Sequence, residues 1–244
     1  MLKALLYGKS DVGLKRTNNE DAFLLKAELG LCVLADGMGG AAAGELASQF
    51  FAETALEVFL KADHRSEDNN VQLIQGSYDL ANQRILQHVK DNPEHKGMGC
   101  TAELLVLHGE RFALGHVGDS RTYLLRHGVM KQLTHDHSLV QEQLDQGLIT
   151  QDEARKHPMR NVILRAVGTQ ESLAVDLIRG AVVPEDIFLQ CSDGLSDMVD
   201  DGTIQSVLIL PVGLPEKAER LIDLAKQAGG LDNVTVVLSE IVSD

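Results

Sequence analysis

Between Leu31 and Gly40 the chain sets four apolar residues and an alanine, then the carboxylate of Asp36, then three glycines within four positions. Such a run reads as a buried strand that delivers an acid into a glycine loop, where the missing Cβ atoms let the backbone approach a ligand closely. An acid held in this way is a good oxygen donor for a hard divalent cation. A strand-to-helix turn in which Asp36 merely caps the next helix fits the same stretch.

The pattern recurs, and recurrence separates the two readings. An apolar run meets an acid beside small residues in Gly115-His116-Val117-Gly118-Asp119-Ser120-Arg121 and in Leu189-Gln190-Cys191-Ser192-Asp193-Gly194. In Gly229-Gly230-Leu231-Asp232-Asn233-Val234-Thr235 the acid precedes its strand, and Asn19-Glu20-Asp21 adds a further acidic site. Turns alone explain one such site. Several apposed carboxylates repel one another and need neutralising, and a polynuclear centre for Mg²⁺ or Mn²⁺, both of which prefer oxygen ligands, supplies that.

Composition excludes other classes. The net charge of −14 over 244 residues argues against nucleic acid as a partner, since phosphate backbones need a basic footprint. No apolar run approaches the roughly 20 residues that cross a bilayer, so no membrane helix is expected. The apolar start of the chain, residues 1–7, is too short for a signal peptide, which makes the cytoplasm the expected location. Cys32, Cys100 and Cys191 show no CxxC spacing; Cys32 and Cys191 lie in apolar runs and read as small core residues.

Periodicity predicts strands over 2–7, 22–26 and 31–35, then helices over 44–62 and 71–90 with a polar loop at 64–70 between them. Residues 94–100, with Gly97 and Gly99, read as a flexible approach to the next strand. Glycine turns at Gly109 and Gly128 predict two hairpins, 102–107 with 111–117 and 121–125 with 129–133. Ser138 and Thr150 open capping boxes of short helices. Further strands are expected over 173–178, 187–191 and 234–242, with helices over 203–208 and 215–228, the second carrying proline at its start and Gly229 at its stop. Hairpins and segregated helices point to an α+β fold and a single domain over 1–244.

Taken together, Asp11, Gly13, Arg16 and Asn19-Glu20-Asp21, then Ala35-Asp36-Gly37-Met38-Gly39-Gly40, Gly97-Met98-Gly99-Cys100-Thr101, Gly118-Asp119-Ser120-Arg121, Ser192-Asp193-Gly194 and Asp232-Asn233-Val234-Thr235 resemble, in order and over the whole chain, the bacterial metal-dependent serine/threonine protein phosphatases of type 2C, or PPM. The resemblance implies a four-layer α-β-β-α sandwich, two mainly antiparallel sheets flanked by helices, with the site at one end. It implies that Asp36 bridges two metals, that the carbonyl of Gly37 binds one of them, and that Asp193 and Asp232 complete the other. Glu20 and Asp21 resemble acids that hold metal-bound water or reach the ions at longer range, with Asn233 beside them. Asp119 with Asp193 resembles a third, weaker site, and Arg16 resembles the arginine that grips substrate phosphate. The implied cofactors are Mn²⁺ or Mg²⁺, and the implied partners are phosphorylated proteins and a cognate Ser/Thr kinase, with the chain a monomer. The residues around 138–168 resemble the family's flap, mobile over 147–167. There Arg155, Lys156, His157, Arg160 and Arg165 form a local basic bias suited to an acidic phosphopeptide.

Two cations about 3.5–4 Å apart hold a water as hydroxide and align it for in-line attack, so the expected reaction is direct hydrolysis of phosphoserine and phosphothreonine. Where relatives carry a histidine as general acid this chain has Met38 or Ala41, which leaves that role unassigned. The same two residues motivate a rival, a phosphoprotein-binding or partner-switching module that no longer turns over. Zinc held by His135-Asp136-His137 lacks a third ligand; a strand end running into the Ser138 cap fits better. Arg121 is expected to pair with a nearby acid, and the hydroxyl of Thr101 to support the site from behind.

Overall fold

The computed structural model describes residues 2–39, 43–62 and 66–243, without the side chains of residues 67 and 68. Gly40 and Ala41 lie outside the described residues. Strands β1 (Leu2–Asp11), β11 (Val234–Ser243), β10 (Ile187–Cys191), β7 (Arg121–Arg126) and β8 (Val129–Gln132) form one sheet in that order. The second sheet runs β2 (Asp21–Lys26), β3 (Leu31–Met38), β5 (Ala102–His108), β6 (Arg111–Val117) and β9 (Asp176–Ala181), with the short β4 (Gly99–Cys100) also paired to β3. All pairings are antiparallel.

Strand β3 shows why the run after Gly30 is apolar throughout. Alternate residues of a strand face opposite sides. Leu31, Val33 and Ala35 pack under α1 (Ala43–Leu60) and α2 (Glu67–Asp91), in a core with Phe51, Phe59, Ile74 and Tyr78. Cys32 and Leu34 face the other sheet, in an inter-sheet core with Phe112, Phe188 and Val237. Each large apolar side chain so buried contributes about 1.5–3 kcal/mol. The outer face of the first sheet is covered by α5 (Asp193–Ser196), α6 (Asp201–Leu208) and α7 (Leu214–Gln227), through Ile204, Leu221 and Ile222. The expected four layers are therefore present. The three cysteines are buried and free.

Four expectations shift. The strand predicted at 173–178 is β9, three residues later, because Leu173 and Val175 pack toward the helical core while Asp176–Ala181 takes the register of β6. The loop predicted at 64–70 ends early: Ser66 caps α2 by accepting from the Asn69 amide at 3.2 Å, so the polar residues after it form the first helical turn. The approach at 94–100 is ordered around a fully buried Met98 and the two residues of β4. Finally, α3 (Leu139–Asp145) and α4 (Gln151–Arg155) begin where expected, but only Thr150 with Glu153 makes the reciprocal box; Ser138 accepts from the Gln141 amide alone.

Registers bring the acid-bearing segments to one end of the sandwich. Asp21 pairs with Asp36 where β2 begins. Asp11 pairs with Val234, Cys191 with Val236 and Arg121, and Ala102 with Val117. The link 118–120 crosses there from the second sheet to the first.

Candidate metal centre

Arg16, Glu20, Asp36, Gly37, Asp193 and Asp232 line one cavity of about 460 Å³ at this end. Asp119 lines an adjoining cavity of about 510 Å³, and Asp193 belongs to both. Asp21 stands behind: its Oδ2 accepts from the hydroxyls of Ser192 at 2.8 Å and Thr235 at 2.6 Å. The Asp36 backbone is fixed by Thr101, whose Oγ1 accepts from the Asp36 amide at 3.2 Å and whose amide donates to the Asp36 carbonyl at 2.9 Å. Thr101 Oγ1 also bonds Ser120 Oγ at 2.6 Å.

Close approach at Gly37 requires glycine, since a Cβ there would lie 2.1 Å from the Gly44 carbonyl oxygen. Gly194 meets the same constraint, 1.9 Å from the Asn233 carbonyl oxygen. Asn233 is the tie of the N-terminal loop: its Oδ1 accepts from the Glu20 amide at 2.8 Å, and its Nδ2 donates to the carbonyls of Val12 at 3.0 Å and Asn18 at 2.9 Å. That tie places Arg16, whose Nη2 donates to Asp232 Oδ2 at 2.7 Å.

Charge is the dominant feature. Burial, then the neighbouring Asp21, Asp193, Asp119 and Asp232, raise the Asp36 carboxyl well above the ordinary range. Burial, then Asp119, Asp197, Asp232 and Asp21, do the same to Asp193. Burial lifts Asp119 to about 7, helped by Asp136 and Asp197. Asp21 is lifted by burial to about 6 against the pull of its two hydroxyl donors. Moreover, Asp21, Asp119 and Asp193 each present a buried Oδ1 with no hydrogen-bond partner among the described residues, an arrangement native proteins otherwise avoid. Oxygen-only donors, orphaned carboxylate atoms and mutual repulsion together fit hard cations. Among the described residues no three His, Cys, Asp or Glu side chains form a ready cage for a single ion.

His135, Asp136 and His137 do not converge. His135 bonds Asp145, Asp136 takes the expected Arg121 at 2.6 Å, and His137 turns to Gly118. The basic bias of the flap is partly spent internally, with Arg160 3.4 Å from Asp197 and Arg165 2.9 Å from Asp176; Arg155 and Lys156 are exposed. Sequence reasoning missed Asn161 and Ile163, which line the cavity of Arg16 and Asp36 from the flap, and the Ser192–Asp21–Thr235 clamp. The clamp had a signal, since both hydroxyls sit inside acid-bearing motifs; Asn161 and Ile163 had none.

Sheets, helices and an all-oxygen donor set between the sheet ends define the class, a two-sheet sandwich suited to hard cations. The chain belongs to the protein phosphatase 2C family, whose model matches residues 14–222. It is 43% identical over 238 residues to the serine/threonine protein phosphatase PstP of Mycobacterium tuberculosis, covering 96% of this chain and 44% of that protein. This chain therefore spans less than half the length of that relative. The protein phosphatase PhpP of Streptococcus pneumoniae is 39% identical over 235 residues, 94% of each chain. The crystal structure of the catalytic domain of PstP in complex with two manganese ions superposes with a TM-score of 0.91 at 38% identity, over the whole of both chains.

Proposed function

We propose that this chain hydrolyses phosphoserine and phosphothreonine in proteins by direct attack of water, reversing a Ser/Thr kinase in the cytoplasm as a monomeric single domain. Asp36, the Gly37 carbonyl, Asp193 and Asp232 would hold two Mn²⁺ or Mg²⁺ ions, with Asp21 and Glu20 behind them and Asp119 serving a third, weaker one. The observation that carries this reading is the set of mutually repelling carboxylates, three with orphaned oxygens, beside an arginine at an open cavity. The manganese in the PstP catalytic domain supports it. Bound ions would supply Lewis acidity toward phosphate and acidify a water.

The remaining roles belong to side chains of this chain. Arg16 is half-exposed and, among the described residues, paired with Asp232, an exposed ion pair worth little by itself. Once Asp232 serves as a ligand, the guanidinium is free to take phosphate in a bidentate fork, which lysine does not match. Thr101, Ser192, Thr235 and Asn233 keep the acids aimed. Asn161 and Ile163 bring the flap, about 138–168, over the cavity where the substrate backbone would lie. Met38 lines the cavity but carries no proton to give, so it supplies no general acid to the departing alkoxide.

Rapid quenching of a radiolabelled phosphothreonine peptide with Mn²⁺ is expected to show phosphate release with no labelled protein at any time. Accumulation of phosphoprotein would overturn direct attack, and absence of any release would overturn the function.

A further inference from the structure

We infer that His137 is a positioning residue, whose Nδ1 fixes the Gly118–Asp119 turn and thereby the direction in which the Asp119 carboxylate faces its cation. The inference rests on the proposed role of Asp119 as ligand of the weaker ion.

Four consecutive residues following β8 each tie down the crossover between the sheets. Thr134 Oγ1 accepts from the Thr122 amide at 3.1 Å. The His135 carbonyl accepts from His116 Nε2 at 2.9 Å. The Asp136 carboxylate takes the Arg121 guanidinium through Nε at 3.0 Å and Nη2 at 2.6 Å. His137 then binds Gly118 twice: its amide donates to the Gly118 carbonyl at 2.7 Å, and its Nδ1 accepts from the Gly118 amide at 3.1 Å. Thr134, Asp136 and His137 are each buried, so these bonds are shielded from water and strengthened by the low local dielectric.

Both polar groups at Gly118 that could turn the peptide are thus held by one residue. Gly118 has φ +114, and a Cβ there would lie 2.5 Å from the Thr101 Cβ, so the turn is packed as well as bonded. Thr101 is the same residue that holds Asp36. Asp119 follows directly, with its Oδ1 buried and unpartnered.

The ring's tautomer follows from its neighbours. Because the Gly118 N–H can only donate, Nδ1 carries a lone pair, while Nε2 lies between Arg165 Nη1 at 2.9 Å and Asp176 Oδ2 at 3.3 Å. Burial, the His116 ring 4.6 Å away and Arg165 hold the imidazole neutral, its pKa pushed down to about 4. His116 is itself fixed by a hydrogen bond between its Nδ1 and the buried Glu103 carboxyl group, to which Thr122 Oγ1 also donates. On its far side His137 accepts at its carbonyl from the Leu164 amide at 2.7 Å. The residue therefore stands between the flap and the turn that carries Asp119.

Calorimetric titration of the whole chain with Mn²⁺ tests this, comparing native protein with His137→Asn, His137→Gln and Asp119→Asn. Asparagine sets an amide oxygen near the position of Nδ1; glutamine reaches only toward that of Nε2. Loss of an outer-shell partner commonly costs 10–100-fold in metal affinity, so His137→Gln is expected to weaken the weakest Mn²⁺ class about tenfold and leave the tighter ions within about twofold. His137→Asn is expected to keep the native affinity in every class. The inference is overturned if the two variants behave alike at the weak class, or if glutamine weakens all classes together with a fall in melting temperature that asparagine shares. If Asp119→Asn leaves every class intact, the ligand role of Asp119 itself fails, a separate outcome.

Discussion

Replacing Asp193 with alanine is expected to lower metal-dependent phosphate release by at least about 10³-fold, a loss of about 4 kcal/mol of transition-state stabilisation. Asp193 opens α5, two residues after the end of β10, and lines both cavities. Its Oδ1 has no partner among the described residues to lose. In the metal-free chain the substitution removes a carboxylate that Asp119, Asp197, Asp232 and Asp21 all repel, so the melting temperature is expected to rise. Phosphate release and thermal melts of the two proteins check both halves. Turnover within about tenfold of native, or a lower melt, would contradict the account.

The second large effect is one of pH on the metal-free chain. Asp36, Asp193 and Asp119 have folded pKa values above the unfolded value of about 3.9. Between those limits the native state binds more protons than the unfolded chain, so stability falls as pH rises. His137, depressed to about 4, acts in the opposite sense below about pH 6.5 and is silent above it. The clean window is therefore about pH 6.5–8, where stability in chelator is expected to fall steadily as pH rises. Saturating Mn²⁺ is expected to abolish the slope, because bound cations hold the acids ionised, and to add about 2.7 kcal/mol at a hundredfold excess over Kd. Urea denaturation at several pH values reads the effect. A metal-free protein that grows more stable from pH 6.5 to 8 would contradict it.

Legibility in the sequence tracked burial. Strand β3 was plain because both its faces are covered, which leaves no polar interruption from Leu31 to Ala35. Strand β9 was misplaced because it is a half-exposed edge, while Leu173 and Val175 just before it are apolar for a different reason, their packing against the helices. The start of α2 was hidden by a polar first turn whose only mark is the Ser66 cap. At the site, Asp36, Asp119 and Asp193 announced themselves because each follows an apolar run and stands beside glycine or serine. What joins them did not. The Ser192–Asp21–Thr235 clamp and the His137–Gly118 pair connect residues that are remote in sequence and adjacent only through sheet register. Arg16 shows a further limit: its motif implies a phosphate ligand, whereas its partner in the folded chain is Asp232.

The central claim is that this acid cluster serves cations that drive phosphate hydrolysis. It is tested most directly by phosphate release from a phosphothreonine peptide as Mn²⁺ is titrated into chelator-treated protein. The account predicts no release in chelator and saturable release as Mn²⁺ is added. Equal release with and without metal, or none at any Mn²⁺ concentration although the ions bind, would contradict it.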